Sequence, residues 1–543
     1  MPRCAATAIP QDASALTPPF RLRPPNSPKA SKPLTLCSSM TSTARRAHAW
    51  TTCLVARLVF ASMSFAPAAS ATGASPKAPA LAPNLVFILS DDQGFADIGY
   101  RSREVQTPHL DRLAASGVRL EQFYVQPVCT PTRAALMTGL YPMRLGLQLG
   151  VIKPESRHGL PLSARTLPQA LREAGYFTAL TGKWHLGNGG PEYLPTARGF
   201  DHQYGFYLGM TDYFTHERDG GLDWHRHDRA LREEGYATDL IAAEAVSIIE
   251  KHGGGDRPFF LYVAFNAPHT PLQATDKWLA RFSHIADKKR RTHVAMIAHM
   301  DDAIGRIVAA LERKQLRENT LLVFSSDNGA NIPVGNNTPL RDQKGSVYEG
   351  GVRVPAFATW PGRLPAGRLV HQPLHMTDWH PTLLRLAGLP TKGSAKAGGK
   401  SAPGVALDGR DLWPALTGDP RPIREELLIN AAPGTGALRR GDWKLVVNGH
   451  LKFKGGTPGA GFSWADLLRE SKLTPEDAAR EQVELFDLAA DPAESRNLAA
   501  QKPDVVRDLT ARYEAYARQA VPLVGGDKAP DFKVPAVWGE FPR

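Results

Sequence analysis

Between residues 84 and 326, short unbroken apolar runs alternate with amphipathic stretches, and that alternation sharply limits the folds open to this chain. Asn84 to Ser90 (NLVFILS), Phe259 to Phe265 (FFLYVAF) and Leu321 to Ser326 (LLVFSS) are continuous apolar segments of strand length, and Phe177 to Leu180 is a weaker one. A strand apolar at every position has two buried faces, which suits a parallel sheet covered on both sides. Helical patterns lie between the runs. Thr107 and Pro108 open one that stops at Gly117, Thr166 opens another that ends at Gly175, and longer ones span Leu240 to Lys251 and His293 to Leu311. Strands alternating with helices predict an α/β fold, a mostly parallel mixed sheet flanked by helices. No repeat of 20 to 50 residues is visible, which excludes solenoids and propellers.

At 543 residues the chain exceeds one ordinary domain. Beyond residue 420 the apolar runs shorten to Trp443–Val447 and Glu484–Leu488, followed by a helical pattern from Pro503 to Ala517. The expectation is a large domain over 80–419 and a small C-terminal α+β domain over 420–543 with an antiparallel sheet. Lys392 to Pro403 (KGSAKAGGKSAP) is low in complexity and reads as a surface loop. It is not a phosphate-binding loop, because Gly399 stands where the lysine belongs and no apolar strand leads into it.

Residues 1–71 differ from the rest in holding eight basic residues against one acid, Asp12, and three of the four cysteines: Cys4, Cys37 and Cys53. Arg45 and Arg46, an interrupted apolar core from Leu54 to Phe65, and Ala69-Ser70-Ala71 read as a leader and export signal, with Met40 as a start. A protein so addressed is exported, to a periplasm or the exterior. The core is too short to span a bilayer, and no other segment approaches roughly 18 continuous apolar residues. Without those residues the net charge of +12 falls to +5, a mild bias toward anionic partners. No dense Lys/Arg stripe with interleaved aromatics is present, so nucleic acid is not an expected partner.

In open α/β sheets ligands bind beyond the carboxyl ends of the strands, so the residues following each run enumerate the candidate site. They are Asp91 and Asp92, Asp327 and Asn328, His269, and Lys183 with His185. Converging carboxylates repel one another unless a cation sits among them, and an all-oxygen set favours Ca²⁺ or Mg²⁺ over zinc. Cys129 precedes Pro131 and the helix-forming Ala134 to Met137, which places it at a helix N-terminus with Arg133 one turn on. A thiol there is expected to have a depressed pKa and to be nucleophilic.

The run Cys129-Thr130-Pro131-Thr132-Arg133, continued by Thr138-Gly139 and Tyr141-Pro142, resembles the C-x-P-x-R signature of the type I sulfatases. Further matches follow in order: Ser90-Asp91-Asp92-Gln93-Gly94, Gly182-Lys183-Trp184-His185-Leu186-Gly187, Pro268-His269, Ser326-Asp327-Asn328-Gly329, Lys344 with Glu349-Gly350-Gly351-Val352-Arg353, and Leu485-Phe486-Asp487-Leu488. Gln126 to Pro131, Leu194 to Asp201 and Asp212 to Arg218 look most like the arylsulfatase B (N-acetylgalactosamine-4-sulfatase) branch, in which serine usually occupies the place of Thr132. The resemblance covers nearly everything after the leader.

It implies an alkaline-phosphatase-like large domain and hydrolysis of aryl sulfates or sulfated sugars. It also implies that a separate formylglycine-generating enzyme oxidises Cys129, and that Asp91, Asp92, Asp327 and Asn328 hold Ca²⁺ with an oxygen of the modified residue 129. Arg133, Lys183, His185, His269 and Lys344 would surround the sulfate, with His269 as acid and His185 as base. Two other readings remain open at this stage. One is a phosphate mono- or diesterase or phosphonate hydrolase of the same superfamily. The other is a sulfated-glycan-binding protein without catalysis. Tyr204, Tyr207, Tyr213, His216, Arg218, Trp224, His225 and His227 are candidates to line a sugar subsite. Sequencing the exported protein from its amino end is expected to give a start near Thr72; a start well upstream would overturn the signal assignment.

Overall fold

The computed structural model describes residues 82–541 except 149, 392–395, 398–399, 402–405, 433–434, 450–482 and 525–531. The expected leader, with Cys4, Cys37, Cys53 and Met40, lies outside the described residues, as does most of Lys392 to Pro403.

Ten strands form the large sheet: β1 (Asn84–Ser90), β2 (Val118–Leu120), β3 (Phe177–Lys183), β4 (His202–Phe206), β5 (His225–Arg226), β6 (Arg229–Ala230), β7 (Phe259–Ala264), β8 (Thr320–Ser326), β9 (Ala356–Thr359) and β10 (Arg368–Val370). Their spatial order is β10, β2, β9, β8, β1, β7, β3, β4, β5, β6. The run from β8 to β4 is parallel throughout, with Leu85 of β1 opposite Phe260 on one side and Leu321 on the other. Antiparallel pairing of β9 with both β8 and β2, and of β5 with both β4 and β6, makes the sheet mixed. The expected α/β class and the four predicted strands are therefore present. The short flanking strands were not predicted, because two to five residues without a continuous apolar run carry no periodic signal.

The main helices are α1 (Pro108–Ala115), α2 (Cys129–Thr138), α3 (Leu167–Glu173), α4 (Ala237–His252), α5 (Lys288–Arg313), α6 (Glu349–Val352), α7 (Trp379–Leu386) and α8 (Pro503–Ala517). Of these, α2, α3 and α7 cover one face of the sheet and α1, α4 and α5 the other, as the unbroken strands require. Leu85, Phe87 and Leu89 of β1 pack in one core with Leu136 of α2, Leu171 of α3 and Leu383 of α7. Val86 and Ile88 point the other way, into a core with Leu110 of α1, Ile241 of α4 and Ile304 of α5.

Local chemistry sets the helix ends. Thr166 and Gln169 form a reciprocal capping box on α3, and α2 stops at Gly139, whose φ of 69° lies in the left-handed region. Thr107 precedes α1 as expected but does not cap it. Its hydroxyl accepts from Gly99 N–H at 2.7 Å and donates to Asp111 at 2.9 Å. The free amides of His109 and Leu110 are instead bound by Asp301 of α5, at 3.1 and 2.7 Å.

A separate four-stranded antiparallel sheet follows: β11 (Glu426–Ala432), β12 (Thr435–Arg440), β13 (Trp443–Val447) and β14 (Val483–Asp487). One face packs on α8 through Leu509 and Tyr513. The other meets the large sheet's surroundings through Leu427, Ile429 and Phe486 against Tyr124, Val347 and Val352. Among the described residues no helix is long and apolar enough to cross a membrane. Replacing Asp301 with Ala removes the borrowed cap on α1 and is expected to lower unfolding free energy by about 1–2 kcal/mol in denaturant titration.

Candidate active site

β8, β1, β7 and β3 are consecutive neighbours in the parallel run, so the residues following them converge at one carboxyl edge. α2 enters the same edge with all ten residues buried, starting at Cys129. Thr132 secures that entry. Its hydroxyl accepts from Gln126 N–H at 2.9 Å and donates to Gln126 O at 3.2 Å, bonds a serine could equally make.

Ionic contacts knit the site together. Arg133 is fully buried and donates from Nε at 3.2 Å and Nη2 at 2.8 Å to Asp327 Oδ2. Its Nη1 reaches Lys183 O and Tyr262 Oη, each at 3.4 Å. Lys183 Nζ lies 2.6 Å from Asp91 Oδ2, and Cys129 Sγ lies 3.5 Å from Asp91 Oδ1. Lys344 Nζ is 2.6 Å from Asp92 Oδ1, which also accepts from Asn328 Nδ2 at 2.7 Å. Asp92 Oδ2 faces His269 Nε2 at 3.6 Å and Asn331 Nδ2 at 3.2 Å. Asp327 Oδ1 accepts the Asp92 N–H at 3.2 Å.

Three carboxylates thus face three cations, all buried except the Lys344 side chain, which is 15% exposed. Burial and the like charge of Asp327 raise Asp91 to about 7, against the pull of Lys183 and Arg133. Burial also acts to raise Asp92, but Lys344 and His269 outweigh it and hold that carboxyl below the usual range. Arg133 and Lys183 do the same for Asp327. The expected low thiol pKa is not found. Burial, with Asp327 adding to it, pushes Cys129 above the ordinary thiol range, because the helix N-terminus is dry and faces carboxylates. An unmodified Cys129 is therefore a poor thiolate.

The histidines differ in which nitrogen is free. His185 Nε2 sits 3.1 Å from Ile152 O, which only accepts, so that nitrogen carries the hydrogen. Nδ1 is left buried without a hydrogen-bond partner among the described residues. Gly209 packs against this ring so closely that a Cβ would lie 2.6 Å from Cε1. His269 Nδ1 is 2.7 Å from Thr270 O, which leaves Nε2 to face Asp92. Burial lowers both histidines. His269 falls to about 3, with Lys344 and Lys183 adding to the effect and Asp92 opposing it. His185 falls well below its usual range, with Lys183 and Arg133 adding.

The residues fit a hard cation. Asn328 Oδ1 is buried with no hydrogen-bond partner among the described residues, and carboxylate oxygens of Asp91 and Asp92 lie within 4.8 Å of each other and of atoms from Cys129 and His269. Asp327 stands beside this group with one oxygen on Arg133 and the other on the Asp92 amide. Cys129, Arg133, Lys183, His185, His269, Lys344, Asp91, Asp92, Asp327 and Asn328 are thus gathered at one sheet edge. Sequence reasoning missed Asn331, Tyr262 and the Ile152 carbonyl. Asn331 had a signal, as it follows Asn328 in the same loop, whereas the other two had none.

The sugar subsite drawn from Tyr204 to His227 is corrected by burial for six of its eight residues, Arg218 and His227 alone being accessible. Tyr204, Tyr207, Tyr213, His216, Trp224 and His225 are at most 1% exposed, so no glycan reaches them. Their rings stack on each other, as in Tyr207 on His225 and His216 on Trp224. Tyr213 has a different part, its hydroxyl lying 2.7 Å from Asn266 O and 2.9 Å from His269 O.

The strand order and the charged floor at its carboxyl edge place the chain among hydrolases with an alkaline-phosphatase-like fold. Residues 83–389 match the sulfatase family profile. The chain is 36% identical over 470 residues to arylsulfatase J of Mus musculus, covering 81% of this chain and 77% of that protein. It is 34% identical over 469 residues to arylsulfatase A of Homo sapiens, covering 79% and 86%. Among solved structures it is similar to Ps i-CgsB in complex with k-i-k-neocarrahexaose, with a TM-score of 0.69, 32% identity, and 81% and 94% of the two chains covered. The chain belongs to the sulfatase family and is a sulfuric ester hydrolase.

In calcium-chelated protein, native His269 stays neutral down to about pH 3 while the unfolded imidazole takes its proton near 6.5. Stability therefore falls as pH drops between those values, and His269→Gln is expected to remove up to about one proton from that dependence, measured by denaturant titration across pH.

Proposed function

We propose that this sulfatase works through a formylglycine made from Cys129 and a calcium ion held by Asp91, Asp92, Asp327 and Asn328. The observation that carries the reading is Cys129 at the buried start of α2, with Asp91 against its Sγ and Arg133 one turn on. The raised thiol pKa adds support, since the unmodified side chain is poorly suited to attack. As a hydrate, the formylglycine would supply a hydroxyl nucleophile polarised by the cation, and a second hydroxyl whose deprotonation releases sulfate.

The remaining work falls to side chains already in position. Lys183 and Lys344 neutralise the sulfuryl oxygens while Arg133 orients residue 129. Three carboxylates balance three cationic side chains, so a bound divalent cation leaves the pocket positive, as a sulfate ester needs. The free Nδ1 lone pair of His185 suits it to take the proton of the second hydroxyl. His269 would give a proton to the leaving oxygen from Nε2 once its ring is charged, a form that Asp92 favours against burial, Lys344 and Lys183, and that the negative charge of a bound sulfate ester would favour further.

We read the substrate as a sulfated carbohydrate, such as N-acetylgalactosamine 4-sulfate, with aryl sulfates as surrogates. The crystallised complex of Ps i-CgsB with k-i-k-neocarrahexaose supports a sugar. The arylsulfatase B branch, maturation by a formylglycine-generating enzyme, export by the leader and a division at residue 420 belong to the same proposal.

Chain produced with a formylglycine-generating enzyme is expected to hydrolyse an aryl sulfate faster than the aryl phosphate sharing its leaving group. Cys129→Ala should abolish that turnover; a preference for phosphate would move the chain to esterase chemistry. Asp327→Ala is expected to lower both bound calcium and rate. His269→Ala should lose about 10²- to 10⁴-fold, most with poor leaving groups, and equal losses across leaving groups would refute its acid role.

A further inference from the structure

The segment Glu349-Gly350-Gly351-Val352-Arg353 takes no direct part in the site, yet it begins with a carboxylate closed off from solvent. Glu349 Oε1 lies 2.9 Å from Lys444 Nζ, and the same ammonium is 2.8 Å from Glu494 Oε1. All three side chains are 0% exposed. Glu349 Oε2 accepts from Tyr124 Oη at 2.8 Å, and Glu494 Oε2 accepts the Glu349 N–H at 2.6 Å. Lys444 stands on β13 of the small sheet and Glu494 in the loop after β14. An apolar trio of equal volume could join the two sheets at least as well, so stability alone does not account for burying these charges.

What the cluster fixes is the backbone of residues 344–352. At one end, Lys344 Nζ reaches Asp92, its N–H donates to Ala330 O at 3.2 Å, and Gly345 N–H donates to Pro127 O at 2.8 Å, two residues ahead of Cys129. At the other end, Gly351 O accepts from Gly329 N–H and Val352 O from Val125 N–H, both at 2.9 Å. Gly329 follows Asn328 directly, and a Cβ there would lie 1.8 Å from Gly350 O. No slack separates α6 from the Asn328 loop.

We propose that Lys444 is a positioning residue for sulfate-ester hydrolysis: by clamping Glu349 and Glu494 from the small sheet, it fixes the segment that presents Lys344 and braces Asn328. This rests on the reading that Lys344 and Asn328 serve the reaction.

The test compares the chain, produced with a formylglycine-generating enzyme, with Lys444→Met, Lys444→Arg and Glu494→Gln. Amide hydrogen exchange over 344–352 reads position, and kcat and KM for an aryl sulfate read function. Lys444→Met is expected to exchange roughly tenfold faster in that segment while β1 and β8 stay protected. Below its melting temperature it should lose roughly tenfold or more in kcat/KM. Lys444→Arg, which keeps the charge, recovers part of both. Glu494→Gln gives a smaller change in the same direction and decides the matter if Lys444→Met does not fold. Combined with Lys344→Met, the added loss from Lys444→Met is smaller than in the unsubstituted chain, because one of the two groups it positions is gone and only the arm through Asn328 remains. Unchanged exchange with full kcat/KM, or additive losses in that cycle, overturns the proposal. Absence of aryl sulfate turnover by the unsubstituted chain instead overturns the functional reading, and the exchange measurement still decides whether Lys444 holds the segment.

Discussion

The pairing of Arg133 with Asp327 is the interaction on which the arrangement turns. A guanidinium with no exposure is tolerable only with charge and hydrogen bonds supplied from within, and both Nε and Nη2 find them on one oxygen of Asp327. The pair joins the first turns of α2 to the end of β8, so Cys129 is held against Asp91 by an element that cannot shift alone. Removing either partner would strand the other charge in a dry interior, at about 3–5 kcal/mol. The same pair leaves Asp327 one oxygen for the Asp92 amide, which fixes the turn after β1.

The two histidines illustrate how backbone carbonyls assign chemistry. Ile152 and Thr270 each offer an oxygen that can only accept, and each thereby fixes which ring nitrogen bears hydrogen. In the neutral ring each is left with a lone pair on its other nitrogen, Nδ1 of His185 and Nε2 of His269. What separates the two is a carboxylate: Asp92 stands 3.6 Å from His269 Nε2 and favours a proton there, whereas His185 Nδ1 has no such partner among the described residues.

The fold's centre was legible because β1, β7 and β8 are buried on both faces and are apolar along most of their length, whereas β3, with Thr178, Thr181 and Lys183, gave a weaker signal. The site was legible for a related reason: Asp91 and Asp327 directly follow β1 and β8, Lys183 ends β3 and His269 comes a few residues after β7, so reading the strand ends finds much of the floor. Where the reading failed, packing had overridden type. Aromatic residues from Tyr204 to His225 look like a sugar platform in one dimension but are interior in three. The thiol of Cys129 sits at a helix N-terminus, yet desolvation and facing carboxylates decide its pKa. Asp301 capping α1 joins residues 191 positions apart, a relation no local motif encodes.

The pairing of β1 with strands that come far later in the chain bears on how the protein assembles. Asn84 hydrogen-bonds Thr320 across 236 residues, and Leu85 lies between Phe260 and Leu321. Closing such loops is slow, since entropy must be lost before any long-range contact forms. Asp91 can meet Lys183 once β3 is in place, but Asp92 finds Asn328 and Lys344 only after β8 has docked, so the full charge pattern of the site needs the far end of the large domain before it can form.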